Sequence, residues 1–226
     1  MWQENIQQHG FAVIPDILSS EEVAALGEHL NSPSLRRNRA GVRHALGIET
    51  VAAIARDQRL LSIAQTILGS EALPIRGTLF DKSPLSNWLA VWHQDTALPL
   101  RERREKSGWG PWSVKDGVNY AHAPVRALEK ILALRVHLDD STVSNGPLRV
   151  LPDTHVLGVL TDDQIHALAE RTPSATCVVP CRGVLAMRPL VIHASSKSAS
   201  EMPRRVLHIE YASSPFIDDG IEVAIA

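Results

Sequence analysis

From residue 72 onward the chain is a succession of short β-favouring runs, and this restricts the fold more than any other feature. Residues 72–80, 87–92, 131–138, 147–151, 176–179, 184–187, 190–194 and 204–212 are such runs, divided by Gly, Pro, Asp, Asn or Ser. Their number predicts a mainly β fold with helical additions, a sandwich or jelly roll. One helical insertion interrupts them over residues 161–171, where Thr161 and Gln164 have the spacing of a capping box.

The N-terminal third, residues 1–70, reads as helical support. Residues 10–15 form a short entry strand. Ser19 and Glu22 then open a helix with Val23, Leu26 and Leu30 on one side. Asp57 caps a second helix whose apolar stripe is Leu60, Leu61, Ala64, Ile67 and Leu68, with Gly69 at its exit.

A chain of 226 residues that is 44% hydrophobic can bury a core, and 1–226 is read as a single domain, with no repeat or long linker. The formal charge of -2 excludes a global field for nucleic acid or anionic membrane, so the expected partner is a small molecule. Residues 1–20 lack a signal-peptide pattern and no long apolar run occurs, which predicts a soluble cytoplasmic protein. Cys177 and Cys181 have neither zinc-knuckle nor redox spacing and are expected to be buried, reduced thiols.

Chemistry enters with histidine and aspartate. Residues two apart on an extended backbone leave the same face, so a His-x-Asp pair on a strand can turn two ligands toward one point. Two imidazoles and one carboxylate leave room on a metal for further ligands, as in non-haem Fe(II) oxygenases. Two such pairs occur, His93-Gln94-Asp95 and His137-Leu138-Asp139. The proposed triad is His93, Asp95 and His193, with His137-Asp139 as the competing pair.

Two further stretches bear on a substrate. Arg36, Arg37, Arg39 and Arg43 lie in a loop broken by Pro33 and Gly41. It is either a solvated basic loop or the rim from which an arginine, Arg43 by choice, reaches an anionic group. Residues 96–124 read as a long irregular loop, a lid or pocket wall. In it Trp109 and Trp112 either face substrate or staple the loop to the core. Trp88 is a third candidate wall residue.

Several motifs in one order carry a family resemblance. They are Asn87-Trp88, Trp92-His93-Gln94-Asp95, the segment from Gly108 to Gly117, His137-Leu138-Asp139-Asp140-Ser141, the segment from Asn145 to Pro152, Met187-Arg188-Pro189-Leu190 through Ser195, and Arg204-Arg205 through Tyr211. Together they resemble the phytanoyl-CoA dioxygenase family, from about residue 76 to the C-terminus.

The resemblance implies an Fe(II)- and 2-oxoglutarate-dependent dioxygenase on a double-stranded β-helix, a cupin-like jelly roll with N-terminal supporting helices, using O2 as second cosubstrate. It places the metal ligands at His93, Asp95 and His193 with four core strands between. The strand list agrees, since His137 leaves only three. It implies that Arg204, with Ser195, binds 2-oxoglutarate; Arg205, pointing to the opposite face of the strand, is the runner-up. Asp153 stands where the family pattern expects a glycine, which puts the geometry of that turn in question. The implied reaction is hydroxylation with release of succinate and CO2. A metal-dependent hydrolase and a non-catalytic small-molecule binder are the alternatives.

Overall fold

In the computed structural model, which describes residues 1–32, 35–38, 40–83 and 86–226, the β runs build two antiparallel sheets. The larger has the order Phe11–Ile14, Val184–Met187, Ile131–His137, Arg204–Ala212, Leu73–Lys82, Gly41–Val42. The smaller has the order Ala175–Cys177, Leu148–Val150, His193–Ser195, Ala90–His93. Followed along the chain, the core strands from Leu73–Lys82 to Arg204–Ala212 cross back and forth between the sheets, which is the jelly roll expected. Four of them lie between His93 and His193.

The N-terminal third does more than buttress. Besides the helices Trp2–His9, Ser20–Leu30, Glu49–Ala55 and Gln58–Leu68, it supplies the two outer strands of the large sheet. Phe11–Ile14 pairs with Val184–Met187, and Gly41–Val42 with Leu79 and Phe80. Open edges would expose unpaired backbone groups, and these short strands cover them. Both expected helix caps form: Ser19 Oγ accepts from the Glu22 amide, and an Asp57 carboxylate oxygen accepts from the Arg59 amide. Trp2–His9 escapes sequence reading because Ile6 is its one buried residue. Pro33 and Arg39 lie outside the described residues.

The large sheet is apolar on its outer face and polar on its inner one. Leu132, Leu134, Val136, Leu207, Ile209 and Tyr211 pack outward in one cluster with Leu26, Leu30, Leu60 and Ala64 of the helices. Burying each such side chain contributes about 1.5–3 kcal/mol, so much of the apolar stabilisation lies between helices and sheet. The alternate positions face into the roll: Arg135 and His137 on one strand, Arg204, His208 and Glu210 on the next, all buried. A second apolar cluster, with Leu148, Val150, Leu185 and Met187, fills the other part of the roll.

Residues 96–124 depart from expectation. They are not an irregular loop but a three-stranded antiparallel sheet, Ala97–Leu100, Trp112–Lys115 and Val118–His122. Asp116 and Gly117, with φ of 49° and 85°, make the two-residue turn between the last two. That Asp-Gly pair is the strongest short-range hairpin signal in the segment, and the charged run before it obscured the strands.

Asp153 takes the left-handed conformation, φ 67°, that a glycine would have supplied, and its carboxylate is held 2.7 Å from His9 Nδ1. Both cysteines are free. Cys177 is buried as expected, and burial pushes its thiol up to about 12. Cys181 is only half-buried. Among the described residues, no helix is long and apolar enough to cross a membrane.

Candidate metal centre

His93 ends the strand Ala90–His93 and His193 begins His193–Ser195, and the two residues are direct partners in the antiparallel register. Cross-strand partners hold their side chains together, and here the ring centroids are 4.2 Å apart. Asp95 lies two residues on, its amide donating to the Pro189 carbonyl at 3.0 Å. Gln94 between them points away and is clamped from behind, its Nε2 donating to the carbonyls of Gly158 and Leu190.

The Asp95 carboxylate faces both rings. His93 Nε2 is 3.8 Å from Oδ1 and His193 Nε2 is 3.5 Å from Oδ2. Donors about 2.1 Å from a shared ion lie at most about 4.2 Å apart, so both separations fit one metal. The ring tautomers fit as well. His93 Nδ1 is 2.7 Å from the Val91 carbonyl and His193 Nδ1 is 2.9 Å from that of Val191. A carbonyl only accepts, so each Nδ1 carries the proton and each Nε2 keeps its lone pair for a metal. Burial pushes the His193 imidazole down to about 4, so it is unprotonated at neutral pH. Burial opposes ionisation of Asp95, yet His193, His93, His208 and Arg76 outweigh it and hold the carboxyl well below the usual carboxylate range.

The competing pair does not converge on these groups. His137 is buried with neither ring nitrogen hydrogen-bonded, and burial, then Arg135 and Arg204, pushes it well below its ordinary value. Asp139 is engaged by Arg205, which grips it through Nε at 2.9 Å and Nη2 at 2.7 Å. Arg205 is thereby turned to the opposite face from Arg204.

Behind the triad lies a cluster of buried cations. Arg204 is 2% exposed and Lys82, its cross-strand partner, 1%. Arg204 Nη2 and Lys82 Nζ donate to Ser195 Oγ at 3.4 and 2.7 Å, while that hydroxyl donates to the Gly146 carbonyl at 2.8 Å. Arg135, also buried, lies over the Phe80 ring. Among the described residues, no carboxylate lies within 4.0 Å of these three cations. Burial, with repulsion from Arg204 and Arg135, pushes Lys82 down to about 8. Burial and Arg135 push Arg204 down to about 10. A charge removed from water without an ion-pair partner is costly, and these three cations have only hydroxyl, backbone carbonyl and imidazole acceptors.

On the open side of Asp95 a cavity of about 180 Å³ is lined by Arg43, His44, Arg76, Lys115, Tyr120 and His208, among others. Arg43 is exposed and is one of the residues lining this cavity. Asp95, His208 and Glu210 also converge, but Glu210 is tied to Arg76 by an ion pair. Trp88 packs on Phe80, with Lys82 Nζ 4.6 Å above its ring. Trp109 is buried in an apolar cluster with Leu98, Leu128 and Ile217, and its Nε1 donates to Asp218 at 2.9 Å. Trp112 packs against the same cluster. Neither of these two rings lines the cavity, and both hold the small sheet to the body.

Sequence reading did not single out Lys82, Arg135, His208 or Lys115. A signal existed for two of them: polar residues two apart within β runs, Arg135 with His137 and His208 with Glu210, mark one polar face. Which face looks into the roll is a tertiary fact.

With this geometry in place, comparisons with known proteins are informative. The phytanoyl-CoA dioxygenase family model matches residues 6–206. The chain is 24% identical over 168 residues to an ectoine dioxygenase of Halomonas elongata, covering 67% of this chain and 44% of the relative. It is 24% identical over 240 residues to an L-proline trans-4-hydroxylase of Streptomyces griseoviridis, covering 89% of this chain and 82% of the relative. The chain thus spans about half the length of the ectoine dioxygenases it matches. A crystal structure of EctD from S. alaskensis with 2-oxoglutarate and 5-hydroxyectoine superposes with a TM-score of 0.69 at 21% identity, covering 92% of this chain and 74% of that one.

Proposed function

The chain belongs to the phytanoyl-CoA dioxygenase family, and on that premise we propose that it is an Fe(II)- and 2-oxoglutarate-dependent dioxygenase that hydroxylates a small molecule. The overall change is substrate C–H plus O2 plus 2-oxoglutarate to substrate C–OH plus succinate plus CO2. The observation that carries this reading is one roll holding both three convergent donors, His93, Asp95 and His193, and a buried cation cluster without a carboxylate of its own. A hydrolytic metal site would use the first and leave the second without a role.

His93 and His193 would hold the metal through Nε2 and Asp95 through its carboxylate, an oxygen and nitrogen set suited to iron. Iron(II), when bound, supplies the redox centre at which O2 is reduced as 2-oxoglutarate loses CO2. Arg204 and Lys82 bind the far carboxylate of the ketoacid, the arginine through parallel charge-assisted hydrogen bonds. Ser195 orients both cations, since its oxygen accepts from them while its proton is committed to Gly146. The Val91 and Val191 carbonyls fix the ring tautomers.

The test is succinate formation from 2-oxoglutarate by the iron-loaded protein with ascorbate and O2, alongside metal analysis. The protein is expected to bind about one iron per chain and to form succinate, and Asp95→Ala to lose both. An iron-loaded protein that forms no succinate, with or without candidate substrates, refutes the assignment.

A further inference from the structure

The cavity on the open side of Asp95 is small, polar and unevenly charged. Its volume of about 180 Å³ falls below the roughly 300–1,000 Å³ of pockets for drug-sized ligands, so the part beside Asp95 has room for a small group. Arg76 is already committed, to Glu210 and to the Ala97 carbonyl. Arg43 and Lys115 are not: among the described residues, neither has a carboxylate within 4.0 Å. They come from distant parts of the chain, Arg43 from the turn after the edge strand Gly41–Val42 and Lys115 from the hairpin of the small sheet.

The surroundings fix Lys115 and the backbone beside Arg43. His44, next to Arg43, sits at φ 53°, a left-handed conformation that costs a non-glycine residue energy, and its Nε2 is 3.0 Å from the Tyr120 hydroxyl. The His44 and Tyr120 rings lie within 8° of parallel, and Lys115 Nζ rests 4.8 Å above the Tyr120 ring. Burial, with repulsion from Arg76 and Arg43, lowers the Lys115 ammonium below its ordinary value. The neighbouring groove shares Arg43 and His44 with the cavity; its other arginines are paired, Arg36 with Asp116 at 3.5 Å and Arg37 with Asp81 at 2.7 Å, which leaves Arg43, among the described residues, as its cation without a carboxylate.

We propose that the substrate is a small molecule bearing an anionic group, carboxylate or phosphate, which is seated between Arg43 and Lys115 with its reacting carbon toward Asp95. This deepens the oxygenase reading and rests on it for the identity of the reacting centre. The seat is distinct from the Lys82, Arg135 and Arg204 cluster, so substrate and ketoacid each have cations of their own.

Labelling of Lys115 tests the seat without iron or turnover. The purified protein is reductively methylated with and without malonate, inorganic phosphate or neutral malonamide at constant ionic strength, and the rates at Lys115 and Lys82 are read by peptide mass spectrometry. An anion is expected to protect Lys115 at a concentration at least about tenfold lower than malonamide, the worth of one charge-assisted hydrogen bond. Arg43→Gln, a change at an exposed side chain, is expected to raise that concentration by a similar factor. Which anion protects at the lower concentration distinguishes carboxylate from phosphate. Equal protection by malonamide, no protection by either anion, or protection unchanged in Arg43→Gln overturns the proposal. Lys82 in the same spectra reports the cosubstrate end, and because no iron is used, failure here is separate from failure to form succinate.

Discussion

Arg204→Met nearly preserves side-chain volume while removing a charge, and the structure predicts opposite effects on stability and on cosubstrate binding. In the ligand-free protein the guanidinium is 2% exposed and makes two long hydrogen bonds, 3.3 Å to the Asn145 carbonyl and 3.4 Å to Ser195 Oγ. Burial and the neighbouring Arg135 push it down to about 10. At about 1.4 kcal/mol for each tenfold change, that corresponds to roughly 3 kcal/mol of uncompensated charge. Methionine removes the penalty and forfeits the two weak hydrogen bonds, a net gain on the order of 1–2 kcal/mol. For a chain of this length the gain raises Tm by about 2–8 °C. Binding of 2-oxoglutarate moves the other way, because the far carboxylate loses its bidentate partner at a cost of roughly 2–5 kcal/mol, a weakening of about 30-fold or more. Scanning calorimetry of the metal-free protein gives the first quantity. Anaerobic titration of the Fe(II) protein with 2-oxoglutarate, followed by charge-transfer absorption, gives the second. Arg204→Lys keeps the charge without the planar fork and should bind between the two. Unchanged 2-oxoglutarate affinity in Arg204→Met, or a fall in its Tm, would refute the reasoning that this cation is stored unpaired for a ligand.

Two other perturbations follow from the same geometry. Lys82 is pushed down to about 8 from 10.5, first by burial and then by Arg204 and Arg135, so across that window the unfolded chain binds more protons than the folded one. The contribution of Lys82 to stability therefore rises from pH 8 toward 10.5, against the opposite contribution of Cys177 above pH 9, whereas 2-oxoglutarate affinity falls as the ammonium is lost; the difference between the pH profiles of the parent protein and Lys82→Met, in denaturant melts and in titrations, isolates the Lys82 part. Gly41→Ala should lower stability by roughly 1–3 kcal/mol or more, read from the urea midpoint, because Gly41 sits at φ +139° and an added Cβ would meet the Leu79 carbonyl oxygen at 1.9 Å. The strand it begins leads into Arg43 and His44, so an undiminished midpoint would mean that the rim of the cavity is not held as described.

Strand bounds and helix caps were legible because they are local. Val184–Met187 and Arg204–Ala212 begin and end where composition predicts, and Ser19 and Thr161 cap the helices their spacing announces. The hairpin around Asp116 and Gly117 was missed although its signal was present, because Arg101 to Lys106 and Pro111 read as loop. Trp109 and Trp112 read equally well as a substrate wall or as anchors, and only the apolar cluster around them separates the two.

By itself the sequence determined which residue types were available, their order and their parity: His93 and Asp95 on one face of a strand, Arg204 and Arg205 on opposite faces. It did not determine which face turns inward, because alternation sets relative orientation and only the partner sheet sets direction. The tertiary structure decided that Arg204 enters the roll while Arg205 meets Asp139, and that Lys82, remote in sequence, lies opposite Arg204. It also decided that three cations share one enclosed space, which no local preference can encode, since their repulsion exists only once the sheets have closed.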